Sequence, residues 1–395
     1  MEIYRFSNGD ELHHYKKSLV ICFKGPRKVL STGPNNGGYR TDLQAVFNND
    51  GNPGAGMACT MRADTYQEHM DLLAAEDLGL DPSRCTGLST AASMDNVSIQ
   101  TMEYEDFSVT AIVTGGIRVN GGRIGDPAVW HETSGICRQV QPGTINIILY
   151  IDADLAEGTL ARALVSCTEA KTAAIQELLA PSRYSRGIAT GSGTDGTIVV
   201  CNAQSPVCLT NAGKHSKLGE YIGKTVKKAV KEALYRQSGL GPAYQHNLIN
   251  RMDRFGITED TLWETYRDRH GKDPAALSRA RFADRLDRLK GQDLLVTYSS
   301  LYAHLLDQLE WGLLNPSEAW EAGEQLLVLA GLMPADGESE EEPAHARDSF
   351  YRGEAEDSPE AHIVWMINRY REGLVGLIAR EDKFLETVIK AYTAK

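Results

Sequence analysis

The sequence predicts a two-part molecule: an α+β (or α/β) domain with a mixed β-sheet core, packed helices and Gly-rich loops, followed by an α-helical C-terminal region. Two observations carry this reading. Glycine divides the chain, with 27 of the 37 glycines falling in residues 1–241. The hydrophobic period also changes there: short β-branched runs between Gly-rich turns give way to apolar residues at helical spacing. At 395 residues with 42% apolar and 24% charged residues, the chain is long and apolar enough to bury a core in each part.

Within residues 1–241, strands are expected at 18–23, 28–31, 86–90, 97–102, 108–114, 144–151 and 197–202, where Val, Ile and Thr cluster between turn residues. Helical spacing falls at 65–77, 155–179 and 216–237. Spacing alone leaves parallel and antiparallel pairing open. The run Ser238-Gly239-Leu240-Gly241-Pro242 stops the last helical pattern and marks a boundary. Residues 242–333 read as an α-helical accessory region with amphipathic stretches at 245–255, 259–269, 274–290, 294–311 and 316–332. Residues 334–361 form an acidic stretch poor in apolar side chains, expected as a flexible loop. Residues 362–395 close the chain with an amphipathic helix carrying Ile363, Met366, Ile367, Tyr370 and Leu374.

Composition bounds the partners. Net charge is −12, which argues against nucleic acid or an anionic membrane surface as the main partner. Seven scattered cysteines with no CxxC pair argue for reduced thiols and a cytoplasmic protein. The N-terminus lacks a basic stretch leading into an apolar run, so no secretory signal is expected, and no apolar run approaches a membrane span.

Chemistry-bearing residues concentrate between Thr110 and Gly223. The turn Thr114-Gly115-Gly116-Ile117-Arg118-Val119-Asn120-Gly121-Gly122-Arg123-Ile124-Gly125-Asp126 lets backbone approach a ligand and offers Asn120 and Asp126 for hydrogen bonding. In the helix that follows, Lys171 falls in the middle of an apolar stripe, either snorkelling outward or held for a purpose; Glu169 lies on a flank. A second turn, Thr190-Gly191-Ser192-Gly193-Thr194-Asp195-Gly196, sets hydroxyls beside one carboxylate. It is neither a P-loop nor a dinucleotide fingerprint. Thr194 or Ser192 would serve as nucleophile if a base stood nearby, and Asp195 would instead activate a water. His215, next to a helix start at Ser216, fits either an acid/base or a capping role. No cluster has metal-ligand spacing.

Taken together, these pieces resemble the adenosylcobinamide amidohydrolase family. The matching blocks are Ala111-Ile112-Val113-Thr114-Gly115-Gly116, Gly125-Asp126, Gly143-Thr144-Ile145-Asn146-Ile147-Ile148, Thr168-Glu169-Ala170-Lys171-Thr172-Ala173, Ala189-Thr190-Gly191-Ser192-Gly193-Thr194-Asp195 and Lys217-Leu218-Gly219-Glu220-Tyr221-Ile222-Gly223, in that order. The resemblance implies a hydrolase that cleaves the amide between the corrin propionyl arm and aminopropanol, giving adenosylcobyric acid for coenzyme B12 salvage. No cofactor is then required, since cobalt enters as part of the corrinoid substrate. Within the matching blocks, Asp195 and His215 are the leading acid/base pair, Thr194 the alternative nucleophile, and Lys171 with Glu169 an electrostatic or orienting pair. Asn120, Gly125, Asp126, Asn146, Thr190, Gly191, Ser192 and Gly193 would contact substrate, with amides of Gly115, Gly191 or Gly193 as oxyanion donors. Competing readings are a non-catalytic corrinoid-binding protein, a nucleotide-dependent transferase, and a bifunctional enzyme with a second, phosphatase-like activity in the C-terminal region. The C-terminal helices are also candidates for joining copies into a homo-oligomer.

Overall fold

The structure, a computed structural model, describes residues 1–54, 61–128, 130–131, 133, 136–137, 143–333 and 358–380. The chain divides into two compact units, Met1–Gly241 and Pro242–Lys395.

The first unit runs, in chain order, through β1 (Glu2–Arg5), β2 (Glu11–Tyr15), β3 (Ser18–Cys22), β4 (Arg27–Ser31), β5 (Gly38–Arg40), β6 (Ala45–Asp50), α1 (Tyr66–Leu72), β7 (Cys85–Thr90), β8 (Ser98–Tyr104), β9 (Phe107–Gly116), β10 (Gly121–Gly122), β11 (Trp130–His131), β12 (Ile136–Cys137), β13 (Thr144–Ile151), β14 (Asp154–Leu155), α2 (Glu157–Glu177), β15 (Gly191–Ser192), β16 (Gly196–Asn202), β17 (Cys208–Leu209) and α3 (Lys217–Ser238). Two sheets result, ordered β1-β2-β3-β6-β7 and β5-β4-β16-β13-β9-β8. Both are mixed. β6–β7 and β13–β16 pair in parallel, and the other ladders of these two sheets are antiparallel.

Alternation along the strands explains the layering. Leu12, Leu19, Ile21, Val46 and Leu88 of the first sheet form one core with Val29, Ile112, Ile148, Ile198 and Val200 of the second, so the sheets pack face to face. The outer face of the first sheet meets α1 and the helical turn that follows it through Val20, Phe47, Met70, Leu73 and Ala74. Helices α2 and α3 pack on each other and on the second sheet, α3 against β9 and β8 and α2 against β16. β13 is therefore enclosed on both sides, and all eight of its residues are buried. Such a strand reads as a continuous apolar run rather than an alternating one.

Polar groups between the sheets are matched to one another. Asn146 donates to Asn48 Oδ1 at 2.8 Å and to the Ser89 carbonyl at 2.9 Å, while Asn48 donates to Thr114 Oγ1 at 2.8 Å. Nearer the opposite end of β13, Asp10 and Arg27 form a fully buried pair, with the Tyr150 hydroxyl donating to Asp10 at 2.6 Å.

The second unit is helical, with α4 (Pro242–Gln245), α5 (Leu248–Met252), α6 (Glu259–His270), α7 (Arg279–Leu289), α8 (Asp293–Glu310), α9 (Pro316–Leu329) and α10 (Pro359–Ala379). One apolar cluster spans them, including Phe282, Leu306, Ala319, Met366 and Leu374. The final helix begins at Pro359 rather than at 362, because Ser358 caps it and proline is favoured at the first helical position. The acidic loop expected at 334–361 lies outside the described residues up to 357, as do residues 381–395 of the helix expected at 362–395; the helix described ends at Ala379. Among the described residues, no helix is long and apolar enough to cross a membrane.

Candidate active site

The topology gathers the glycine-rich loops. β9 is antiparallel to β13, so its last residue, Gly116, pairs with Thr144 at the start of β13. β16 is parallel to β13 and begins beside the same end, with Gly196 opposite Asn146. The loop after β9 and the turn before β16 thus open at one end of the sheet. The short strands β10 and β15 join them, Gly121 to Ser192 and Gly122 to Gly191. Helix α2 completes the wall. Between them lies a cleft of about 930 Å³ lined by Arg123, Gly125 and Asp126, by Lys171 and Thr172, and by residues 190–195.

Asp195 is the hub of the cleft. Its Oδ1 accepts from the Ile145 amide at 3.0 Å and from Ser192 Oγ at 2.7 Å. The Ser192 amide reaches both carboxylate oxygens at 3.1 Å. Oδ2 is held by the Lys171 ammonium. The two charged side chains are only 12% and 13% exposed, so water screens their attraction weakly. Helical phase explains Lys171: it projects from the buried face of α2, one turn beyond Cys167. Burial pushes the Cys167 thiol up to about 12, against the pull of Lys171. That thiol is therefore no nucleophile at neutral pH. Gly191 keeps room for the pair, because a Cβ there would run into both the Asp195 carboxylate and the Lys171 ammonium and one of them would have to move.

The opposite lip is set by Asp126. It accepts from the Arg123 amide at 2.7 Å and from Ser182 Oγ at 2.6 Å. Burial works to raise its pKa, but hydrogen bonds from Ser182, Ser185 and the Arg123 amide outweigh it and hold the carboxyl below its ordinary value. Gly125 supplies the positive φ, +96°, that the lip turn needs. The Thr190 hydroxyl ties the two loops together by accepting from the Ile124 amide at 2.9 Å.

Of the residues the sequence singles out, Asp195, Thr194, Lys171, Gly125, Asp126, Thr190, Gly191, Ser192 and Gly193 line this cleft. Five others stand elsewhere. Asn120 is fully buried, donating to the Gly143 carbonyl at 2.8 Å and accepting from the Tyr184 hydroxyl at 2.6 Å. Asn146 is spent on the bridge between the sheets. Both amides are engaged by protein groups and lie outside the cleft lining. Glu169 does not pair with Lys171. Two residues apart on a helix they point to nearly opposite sides, and Glu169 instead meets Lys214 at 3.1 Å. His215 is exposed in a separate hollow with Arg162, Asn211 and Lys214, so it is not the partner of Asp195; Lys171 is. Gly115, one of the expected oxyanion donors, lies within the β9–β13 ladder opposite Ile145.

A furrow along α2 shares Thr168 and Thr172 with the main cleft and Lys214 with the His215 hollow, so the two sites are ends of one surface track. Sequence reasoning missed Tyr184 and Thr172 in the lining and Ser182 behind it. The polar turn Pro181-Ser182-Arg183-Tyr184-Ser185, set between two glycine-rich blocks, was the available signal. Among the described residues, no group of three or more His, Cys, Asp or Glu side chains is placed to hold a metal ion.

The cleft has the volume and the few convergent polar groups of a small-molecule site. The fold around it is a pair of facing mixed sheets flanked by helices. Residues 3–242 match the model of the adenosylcobinamide amidohydrolase family, CbiZ, and the chain belongs to that family. An uncharacterized protein of Methanocaldococcus jannaschii is 35% identical over 232 residues, covering 56% of this chain and 87% of that protein. The adenosylcobinamide amidohydrolase of Methanosarcina mazei is 28% identical over 233 residues, covering 56% of this chain and 98% of that protein. Among solved structures, the PH0078 protein of Pyrococcus horikoshii covers 57% of this chain and 78% of its own at 13% identity, with a TM-score of 0.27. A superposition that loose bears on neither fold nor function.

Proposed function

We propose that this chain hydrolyses the amide joining the corrin propionyl arm to aminopropanol in adenosylcobinamide, releasing aminopropanol and adenosylcobyric acid, and that it serves corrinoid salvage in the cytoplasm. The observation that carries this is the placement of the Lys171–Asp195 pair, with Ser192, inside the cleft that the glycine-rich loops form within the family-matched segment. Amide hydrolysis needs an oxygen nucleophile, a proton acceptor for it, positive charge for the oxyanion and a proton for the leaving amine. Ser192 or a water, Asp195 and Lys171 are chemically suited to those tasks. The cobalt belongs to the substrate, and the open lip of Ile124, Pro127 and Ala128 offers apolar surface to a broad macrocycle.

Incubation with adenosylcobinamide, followed by chromatography of the corrinoid and detection of free aminopropanol, tests the proposal. Stoichiometric formation of both products without added nucleotide is the expected result. Tight binding with no release would identify a carrier instead, and release that required ATP would identify a transferase.

A further inference from the structure

Resting on that reading, we infer that Ser192 is the nucleophile and that hydrolysis runs through an ester of the corrinoid acid on its Oγ, with Asp195 as the proton acceptor and Lys171 as the cation beside the developing oxyanion.

Apart from Thr190, whose hydroxyl accepts from the Ile124 amide, the hydroxyls of the cleft can be told apart by where they donate. Thr168 Oγ1 donates to the Leu164 carbonyl at 3.0 Å, Thr172 Oγ1 to the Thr190 carbonyl at 3.2 Å and Thr194 Oγ1 to the Gly143 carbonyl at 3.0 Å. A backbone carbonyl orients a hydroxyl but does not take its proton. The Tyr184 hydroxyl ends on the Asn120 side-chain carbonyl. Ser192 Oγ donates to a carboxylate, Asp195 Oδ1, at 2.7 Å. Ser182 also donates to a carboxylate, Asp126, but it is buried and is not part of the lining. Thr194, the alternative nucleophile of the sequence reading, therefore yields to Ser192.

The surroundings of Ser192 are prepared for attack. Its amide is fixed to both oxygens of Asp195, so nucleophile and base share one rigid turn. The far oxygen of the same carboxylate holds Lys171, which keeps a cation within the group. Gly193, next in the chain, is exposed, with no atom within 4 Å of where a Cβ would stand, so the approach to Ser192 is open. In the first half-reaction, Ser192 Oγ bonds to the amide carbon and its proton passes to Asp195. The C–N bond then breaks, and that proton leaves on the nitrogen of aminopropanol. In the second, water adds to the ester carbon and gives a proton to Asp195. The ester C–O bond breaks, adenosylcobyric acid departs and Ser192 Oγ recovers the proton.

The test uses the full chain and three variants, S192A, S192C and T194A, each first shown to melt within a few degrees of the parent. The parent must release aminopropanol; if it does not, the functional reading fails and this inference is not what failed. Given turnover, S192A is expected to lose ~10³-fold or more in kcat. T194A should stay within about tenfold, a loss attributable to weaker positioning. Added hydroxylamine should divert parent product into the corrinoid hydroxamate. Acid-quenched S192C should carry the corrinoid acyl mass on the peptide containing position 192, a readout that a merely structural role for the serine hydroxyl would not produce. S192A turning over within about threefold of the parent would overturn the inference. So would an acyl mass mapped to any other residue.

Discussion

At the scale of single residues, the site depends on one missing side chain as much as on those present. A Cβ at Gly191 would stand within 3 Å of both Lys171 Nζ and Asp195 Oδ2, so the pair would have to shift to admit it. G191A should displace one of the pair, and misplacement of about 1 Å in a working centre costs ~10²-fold in rate. Steady-state turnover of adenosylcobinamide by G191A, alongside its melting temperature, checks this; unchanged kcat would mean that the pair is not used. Lys171 was legible in the sequence because a cation in the middle of an apolar helical stripe needs a reason. Its partner was not, since Asp195 lies 24 residues further along and the ion pair is tertiary. Sequence order also misled at Glu169, where proximity in the chain suggested a pairing that helix geometry forbids. At His215 a polar turn suggested chemistry, where the structure shows an exposed imidazole beside the Ser216 cap.

At the scale of elements, the lip loop carries a titration signature. Asp126 is held below its ordinary value of 3.8 by the hydrogen bonds it accepts, so the folded loop favours the carboxylate. Its stabilising contribution is complete above pH 3.8 and fades as pH falls through the lower folded value. D126N should lose about 1–2 kcal/mol at pH 6, a hydrogen-bonded charge being worth that much. The gap between parent and variant should close as the pH drops below 3.8, measured by urea unfolding across pH. A gap that is constant with pH would show that the carboxylate charge contributes nothing. Among the strands, β13 was legible because both of its faces are apolar. β6 was not, because Asn48, Asn49 and Asp50 read as a turn. Those amides are tolerated in a strand only because Asn146, Thr114 and Ser18 meet them in the buried layer.

At the scale of the whole molecule, the change in glycine use and hydrophobic period coincides with a boundary between two units that each have their own apolar core. The family match stops at residue 242. A fragment ending at Gly241 should therefore fold and keep the turnover of the full chain within about threefold, its core being self-contained. Circular dichroism and the aminopropanol assay check this, and a fragment that is folded but inactive would assign the helical unit a part in catalysis. The fold class could be read from the sequence because it rests on local periodicity. Strand order could not, because it is decided by contacts such as Val199 with Leu30 that join distant stretches.

That last ladder has a consequence for how the polypeptide is made. β4 leaves the ribosome about 170 residues before the strand that will flank it, as Leu30 and Val199 show. At 5–20 residues per second, its edge waits roughly 10–30 s for a neighbour. Through that interval the nascent N-terminal half displays an unfinished ribbon, the kind of surface that invites mispairing and chaperone capture.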